Sequence, residues 1–226
     1  MPYPPGFRHL PGYFSQVNQQ TLLAAITAAI AAAPLFVPKM PRTGTPMSVR
    51  MTNCGPLGWV TDQQRGYRYQ PTHPETGKPW PPMPELLLRL WEAIADCPNP
   101  PQACLVNWYG EGARMGGHQD RDEMDFTAPV VSVSLGDEAA FFIGGTSRAG
   151  PKQRLRLKSG DVCVIGGGLA GLRVAIGAPG AVGSGEGDAS AAPAAEARSA
   201  PIAQIAANHR QRMSNAPVPG RLWNRP

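Results

Sequence analysis

The chain has 226 residues, enough for one sizeable domain with its own core. Aromatic residues are few while Gly and Pro number 26 each, so turns and loops are abundant. The formal charge of +5 is uneven: residues 1–70 hold Arg8, Lys39, Arg42, Arg50, Arg65 and Arg68 against the single acid Asp62, and the rest of the chain balances. A basic first third suits a polyanion such as nucleic acid, and equally suits plain solubility, so charge alone excludes neither. Cys54, Cys97, Cys104 and Cys163 form no C-x-x-C pair and follow no signal-peptide pattern, which points to a reduced, cytoplasmic compartment. The apolar run from Leu22 to Ala33 is too short and too alanine-rich to span a bilayer, so no membrane association is expected.

In chain order, residues 1–14 are rich in Pro and aromatics and read as irregular. Ser15 is an N-cap for a helix over 15–33, with Leu22, Ile26 and Ile30 on one face and Pro34 ending it. Met47 to Trp80 alternates in short stretches that predict hairpin arms. Pro84 opens a second helix, buried through Leu86, Leu87, Leu90, Trp91 and Ile94. From Ala103 the period changes to two. Strands are predicted at Cys104–Tyr109, Ala128–Leu135, Ala139–Ile143, Gln153–Leu157 and Asp161–Ile165, with turn residues between them. Many short strands with regular turns point to a sandwich, barrel or jelly roll. After Gly166 the composition turns to Ala, Gly and Pro, and the expectation there is a disordered or loosely helical tail.

His118-Gln119-Asp120 is the sharpest chemical signal. On an extended segment an H-x-D places imidazole and carboxylate on one side, as two parts of the facial triad that holds non-haem Fe(II) with open positions. The motif is common by chance, and a surface turn is its ordinary origin. Its surroundings raise its weight. Asn107 and Tyr109 sit on the preceding strand, where an amide and a phenol can hydrogen-bond a small dicarboxylate. Asp122 follows in an acidic cluster that can accept from a base's exocyclic amine.

The stretch LVNWYGEGARMGGHQDRDEMDFTAPVVSVSLGDEAAFFIGG, Leu105 to Gly145, resembles the catalytic core of AlkB-type dioxygenases: N-x-Y, H-x-D-x-D-E, AP[IV]VSVSLG and F-x-x-GG in order. Met47 to Trp80 resembles that family's nucleotide-recognition lid, and the likeness covers residues 11–167. The resemblance implies a double-stranded β-helix (jelly roll) with an N-terminal lid. It divides the chain into a segment 1–46 with helix 15–33, a lid 47–82, a catalytic core 83–167 and a low-complexity tail 168–226. It further implies Fe(II) held by His118 and Asp120, 2-oxoglutarate contacted by Asn107 and Tyr109, and a flipped base lined by Trp59 and Tyr67 with Asp122 beside it. The implied reaction is oxidative dealkylation of bases in DNA, preferably single-stranded, or RNA, by a monomer.

Past Ile165-Gly166-Gly167 the pattern departs from the family. The family's R-L-x-x-H-G, source of the third ligand, and its closing R-x-N-x-T-x-R strand, source of the 2-oxoglutarate arginine, have no counterpart. The chain reads GGLAGLRVAIGAPGAVGSGEG instead, and His209, Arg210 and Arg212 fit neither motif. Two accounts compete: a frameshift in GC-rich coding DNA, and divergence with altered metal binding. Three functions stand against one another. They are an impaired dealkylase, a catalytically dead nucleic-acid binder, and a dioxygenase of the same fold acting on protein or small molecules.

Overall fold

The computed structural model describes residues 3–118, 128–145, 150–166, 173–177 and 200–206. Its elements run β1 (Phe7–Leu10), α1 (Gln16–Ala32), β2 (Arg50–Cys54), β3 (Gly58–Asp62), β4 (Gly66–Gln70), α2 (Glu85–Ile94), β5 (Ala103–Tyr109), β6 (Arg114–His118), β7 (Pro129–Ser134), β8 (Ala139–Gly144), β9 (Lys152–Leu157), β10 (Val162–Gly166), β11 (Arg173–Gly177) and β12 (Ala200–Ala206). Among these residues the major sheet has the order β1-β10-β7-β12-β5-β2 and the minor sheet β6-β11-β8-β9. The hairpin β3–β4 forms a sheet of its own.

The two larger sheets pack face to face. Phe7, Met51, Tyr109, Cys163 and Ile165 of the major sheet share one core with Phe141, Ile143, Leu155, Leu157, Val174 and Ile176 of the minor sheet. The rings of Phe7 and Phe141 stack at 5.9 Å across the gap. This is the jelly roll expected from the strand pattern.

Residues of alternate parity on the same strands face the other way, under the helices. Cys54, Cys104, Val106, Val131, Val133, Val162 and Val164 pack with Leu22 and Ile26 of α1 and Leu87, Leu90 and Trp91 of α2. Ser15 caps α1 by accepting from the Asn18 amide at 3.3 Å, and Ala33 before Pro34 closes it. On this face Cys54 lies directly opposite Cys104. The Cys54 sulfur, together with burial, holds the Cys104 thiol well above its ordinary value, so Cys104 packs as an apolar side chain rather than acting as a nucleophile.

Two sequence expectations are corrected. Residues 7–10, read as irregular, form the edge strand β1, because their backbone pairs with β10 from Phe7↔Ile165 to Leu10↔Val162. The segment 168–226, read as a tail, contributes β11 and β12. β11 sits between β6 and β8, and β12 between β5 and β7. Pro201, which has no N–H to give, lies at the start of β12 where only β5 is opposite, and the backbone pairs on both sides from Ile202 onward.

Candidate active site

Of the residues selected from the sequence, Asn107, Tyr109 and His118 face the interior between the two larger sheets. On β5, Leu105, Asn107 and Tyr109 alternate with the helix-facing Cys104 and Val106, so the amide and the phenol face inward. Asn107 is fully buried, and Tyr109 nearly so. On β7, the serines of V-S-V-S take the same inward parity: Ser132 and Ser134 are buried opposite the outward Val131 and Val133.

His118 ends β6 directly opposite Val174 of β11. Directly opposed residues leave a sheet on the same side. Val174 belongs to the inner core, so His118 is turned into the same interior as Tyr109. Its Nδ1 lies 2.8 Å from the Gly116 carbonyl oxygen. With Nδ1–H donating there, Nε2 carries the lone pair, the form in which imidazole ligates a metal. Asp120 and Asp122 lie outside the described residues.

The hydroxyls of Tyr109 and Ser132 are buried without a hydrogen-bond partner among the described residues. Burial pushes the Tyr109 phenol above its ordinary pKa, so it stays a donor. A buried, unpaired hydroxyl costs about 1–3 kcal/mol unless a ligand completes it. These groups therefore fit a small polar co-substrate. The inward positions among the described residues carry no arginine or lysine, so they offer hydroxyls and amides rather than a cation for its carboxylates.

The two aromatics of the β3–β4 hairpin also come together. Trp59 on β3 and Tyr67 on β4 are diagonal across the hairpin, with ring centroids 5.6 Å apart and planes 27° from parallel. Trp59 is half-buried against the inner core, and Tyr67 is exposed. At the hairpin tip, the Arg65 amide first, and then the Arg68 guanidinium, hold the Asp62 carboxyl below its usual range. Arg68 meets that carboxylate at 2.7 Å.

Sequence reasoning missed the residues that anchor the β3–β4 hairpin and the segment before β2. The buried side chain of Asn53 accepts from the Trp59 amide and donates to the Trp59 carbonyl, both at 3.0 Å. Gly58 permits this approach, because a Cβ there would lie 2.4 Å from the Trp80 ring and 2.8 Å from the Asn53 Cβ. The Ser48 hydroxyl accepts from the Arg114 amide and donates to the Arg114 carbonyl, tying the segment before β2 to the strand that carries His118. These bonds run to backbone, so their only sequence trace is a polar residue inside a strand-like run.

A family model described as the 2OG-Fe(II) oxygenase superfamily matches residues 6–169. The chain is 54% identical over 159 residues, 70% of its length, to the alpha-ketoglutarate-dependent dioxygenase AlkB homolog of Caulobacter vibrioides, 71% of which is covered. It is 51% identical over 128 residues to the alpha-ketoglutarate-dependent dioxygenase AlkB of Escherichia coli, covering 55% of this chain and 59% of that one. Among solved structures, that of OsALKBH1 superposes with a TM-score of 0.69 at 23% identity, over 91% of this chain and all of the other, and so shows the fold. The oxygenase match, the identity to AlkB proteins and the inward-facing jelly-roll site agree, and the chain belongs to the AlkB-type branch of the Fe(II)- and 2-oxoglutarate-dependent dioxygenases.

Proposed function

We propose that the chain acts on N-alkylated bases of nucleic acid, single-stranded DNA first and RNA second, as a dealkylase whose turnover is limited by weakly held iron. The observation that carries this reading is the phenol of Tyr109, without a partner among the described residues, facing the same interior as His118.

In this reading His118 and Asp120 hold the iron, and the Gly116 carbonyl fixes the imidazole in its ligating tautomer. Tyr109 donates to a carboxylate of 2-oxoglutarate, and Asn107 supplies a second polar contact. Trp59 and Tyr67 receive the extruded base by stacking, with Asp122 accepting from its exocyclic amine. Iron, 2-oxoglutarate and dioxygen supply the oxidation when bound: one oxygen atom enters the N-alkyl carbon, the other enters succinate as CO2 leaves, and the adduct divides into aldehyde and free base. The apolar walls, Phe141, Ile143 and Leu155 among them, keep water from that centre.

Two protein ligands bind iron less tightly than the family's three, and β12, sequence APIAQIA, carries no arginine for the co-substrate. Low turnover and a high KM for 2-oxoglutarate follow. The test incubates a methylated oligonucleotide with Fe(II) and 2-oxoglutarate and follows succinate and restored base. It is run on this chain and on a version whose C-terminus carries R-L-x-x-H-G and R-x-N-x-T-x-R. The expected result is slow turnover by the first and at least a tenfold rise in the second. Absence of succinate and base release from both would sink the dealkylase. Reading the coding DNA in its other frames beyond codon 166 tests the frameshift account, which fails if neither frame yields R-L-x-x-H-G.

A further inference from the structure

The outward face of the minor sheet has a composition unlike the rest of the surface. Both helices pack on the major sheet, and among the described residues none packs on this one. Its middle strands present two alanines and one phenylalanine outward. Ala140 and Phe142 of β8 and Ala175 of β11 are all half-buried.

The edge strand β9 borders this face with cations at every second residue. Lys152, Arg154 and Arg156, and Lys158 just beyond the strand, are exposed, while Leu155 and Leu157 between them are buried. Two residues of a strand rise about 6.6 Å, so the four charges form a straight row of about 20 Å. Arg154 lies over the Phe142 ring at 6.0 Å from its centroid. Arg156 pairs with Glu138 at 2.8 Å, an exposed and therefore weak pair. Lys152, Arg154 and Lys158 have no carboxylate at ion-pair distance among the described residues. A cleft of about 410 Å³, lined by Tyr3, His9, Gln153, Arg154, Leu155 and Arg156, opens beside the row.

Register connects this row to the active site. His118 opposes Val174, Val174 opposes Ile143, and Ile143 opposes Gln153. One line across the sheet therefore joins His118 to β9, three strand spacings or about 14 Å away. Lys152 stands at the site's end of the row, and the other cations lead away from it.

We propose that this face is a second nucleic-acid surface, on which the Lys152–Lys158 row follows the sugar–phosphate backbone of the strand whose base enters the site. The inference rests on the nucleic-acid reading above. Regular cations interleaved with an aromatic ring are what a backbone-tracking groove requires, and a polyanion is the occupant whose charge matches. An ordinary reason for basic residues on an edge strand is to block pairing with another chain, and the experiment separates the two.

The quadruple variant K152Q/R154Q/R156Q/K158Q is compared with the unaltered protein. Fluorescence anisotropy measures binding of an unmodified single-stranded oligonucleotide of about thirty residues and of a trinucleotide, across salt concentrations. The slope of log K against log salt for the long strand is expected to fall by about 0.7 per lost phosphate contact, with the K152Q/R154Q pair accounting for most of it, and trinucleotide affinity is expected to stay within about twofold. An unchanged slope overturns the proposal, as does equal weakening of both ligands. Self-association of the variant at unchanged slope identifies the row as an edge guard and overturns it too. If the unaltered protein binds neither ligand, the nucleic-acid reading itself has failed.

Discussion

The two faces of the major sheet are built from alternate residues of the same strands, yet they differ in kind. Toward the helices stand Cys54, Cys104, Val106, Val131, Val133, Val162 and Val164, an apolar layer. Toward the minor sheet, Asn53, Asn107, Ser132 and Ser134 are just as buried, and the hydroxyls of Tyr109 and Ser132 lack partners among the described residues. The run Val131-Ser132-Val133-Ser134 carries both properties in four residues. One face is composed for cohesion. The other carries buried amides and hydroxyls, which cohere less.

Substitutions should therefore act differently on the two faces. The largest effect is expected from Leu90→Ala under the helices, a loss of about 2–5 kcal/mol in urea unfolding with 2-oxoglutarate affinity of the folded protein unchanged. A matching loss of affinity would show that the faces are not independent. Next comes Asn53→Ala, which strands both backbone groups of Trp59 and should cost about 1–3 kcal/mol. Hydrogen exchange should locate that loss in the β3–β4 hairpin, and KM for oligonucleotide should rise more than kcat falls.

Tyr109→Phe sharpens the contrast. It removes an unpaired hydroxyl, so stability should hold or improve, while 2-oxoglutarate affinity by calorimetry drops about tenfold, the equivalent of roughly 1.4 kcal/mol. Ser132→Ala should move both quantities the same way by a smaller factor. Unaltered 2-oxoglutarate affinity in both variants would remove the inner face from co-substrate binding.

A further effect appears only in alkali. Burial, with Asp161 adding to it, raises the Cys163 thiol from 9.0 to about 12. Because the folded value lies above the unfolded one, this contribution is whole below pH 9 and is lost as pH climbs toward 12. Melting temperature should decline through that window, and Cys163→Ala should flatten the decline. A variant that follows the same curve would assign the loss to other groups.

Much of this was legible in the sequence because it repeats with a period. Ser15 and Pro34 bracket α1, and the alternation of β5, β7 and β10 declares which residues share a face. His118, Asn107 and Tyr109 stood out because their motifs fall at strand positions of one parity. β1 is too short to show a period, and β12 is placed by backbone pairing with two flanking strands, which leaves no spacing signature. Asn53 and Ser48 act on main-chain groups, which leave no spacing signature. The β9 cations were hidden in a chain-wide charge count, where the acids after residue 70 cancel them.

The position of β12 also bears on how the protein is made. Its backbone fills the gap between β5 and β7, yet it follows β7 by 66 residues. Until it arrives, both neighbours expose unpaired amides and carbonyls in a half-built wall that nascent chains can stick to. Late closure over so long a separation costs loop entropy before the pairing repays it, which slows the final step of folding.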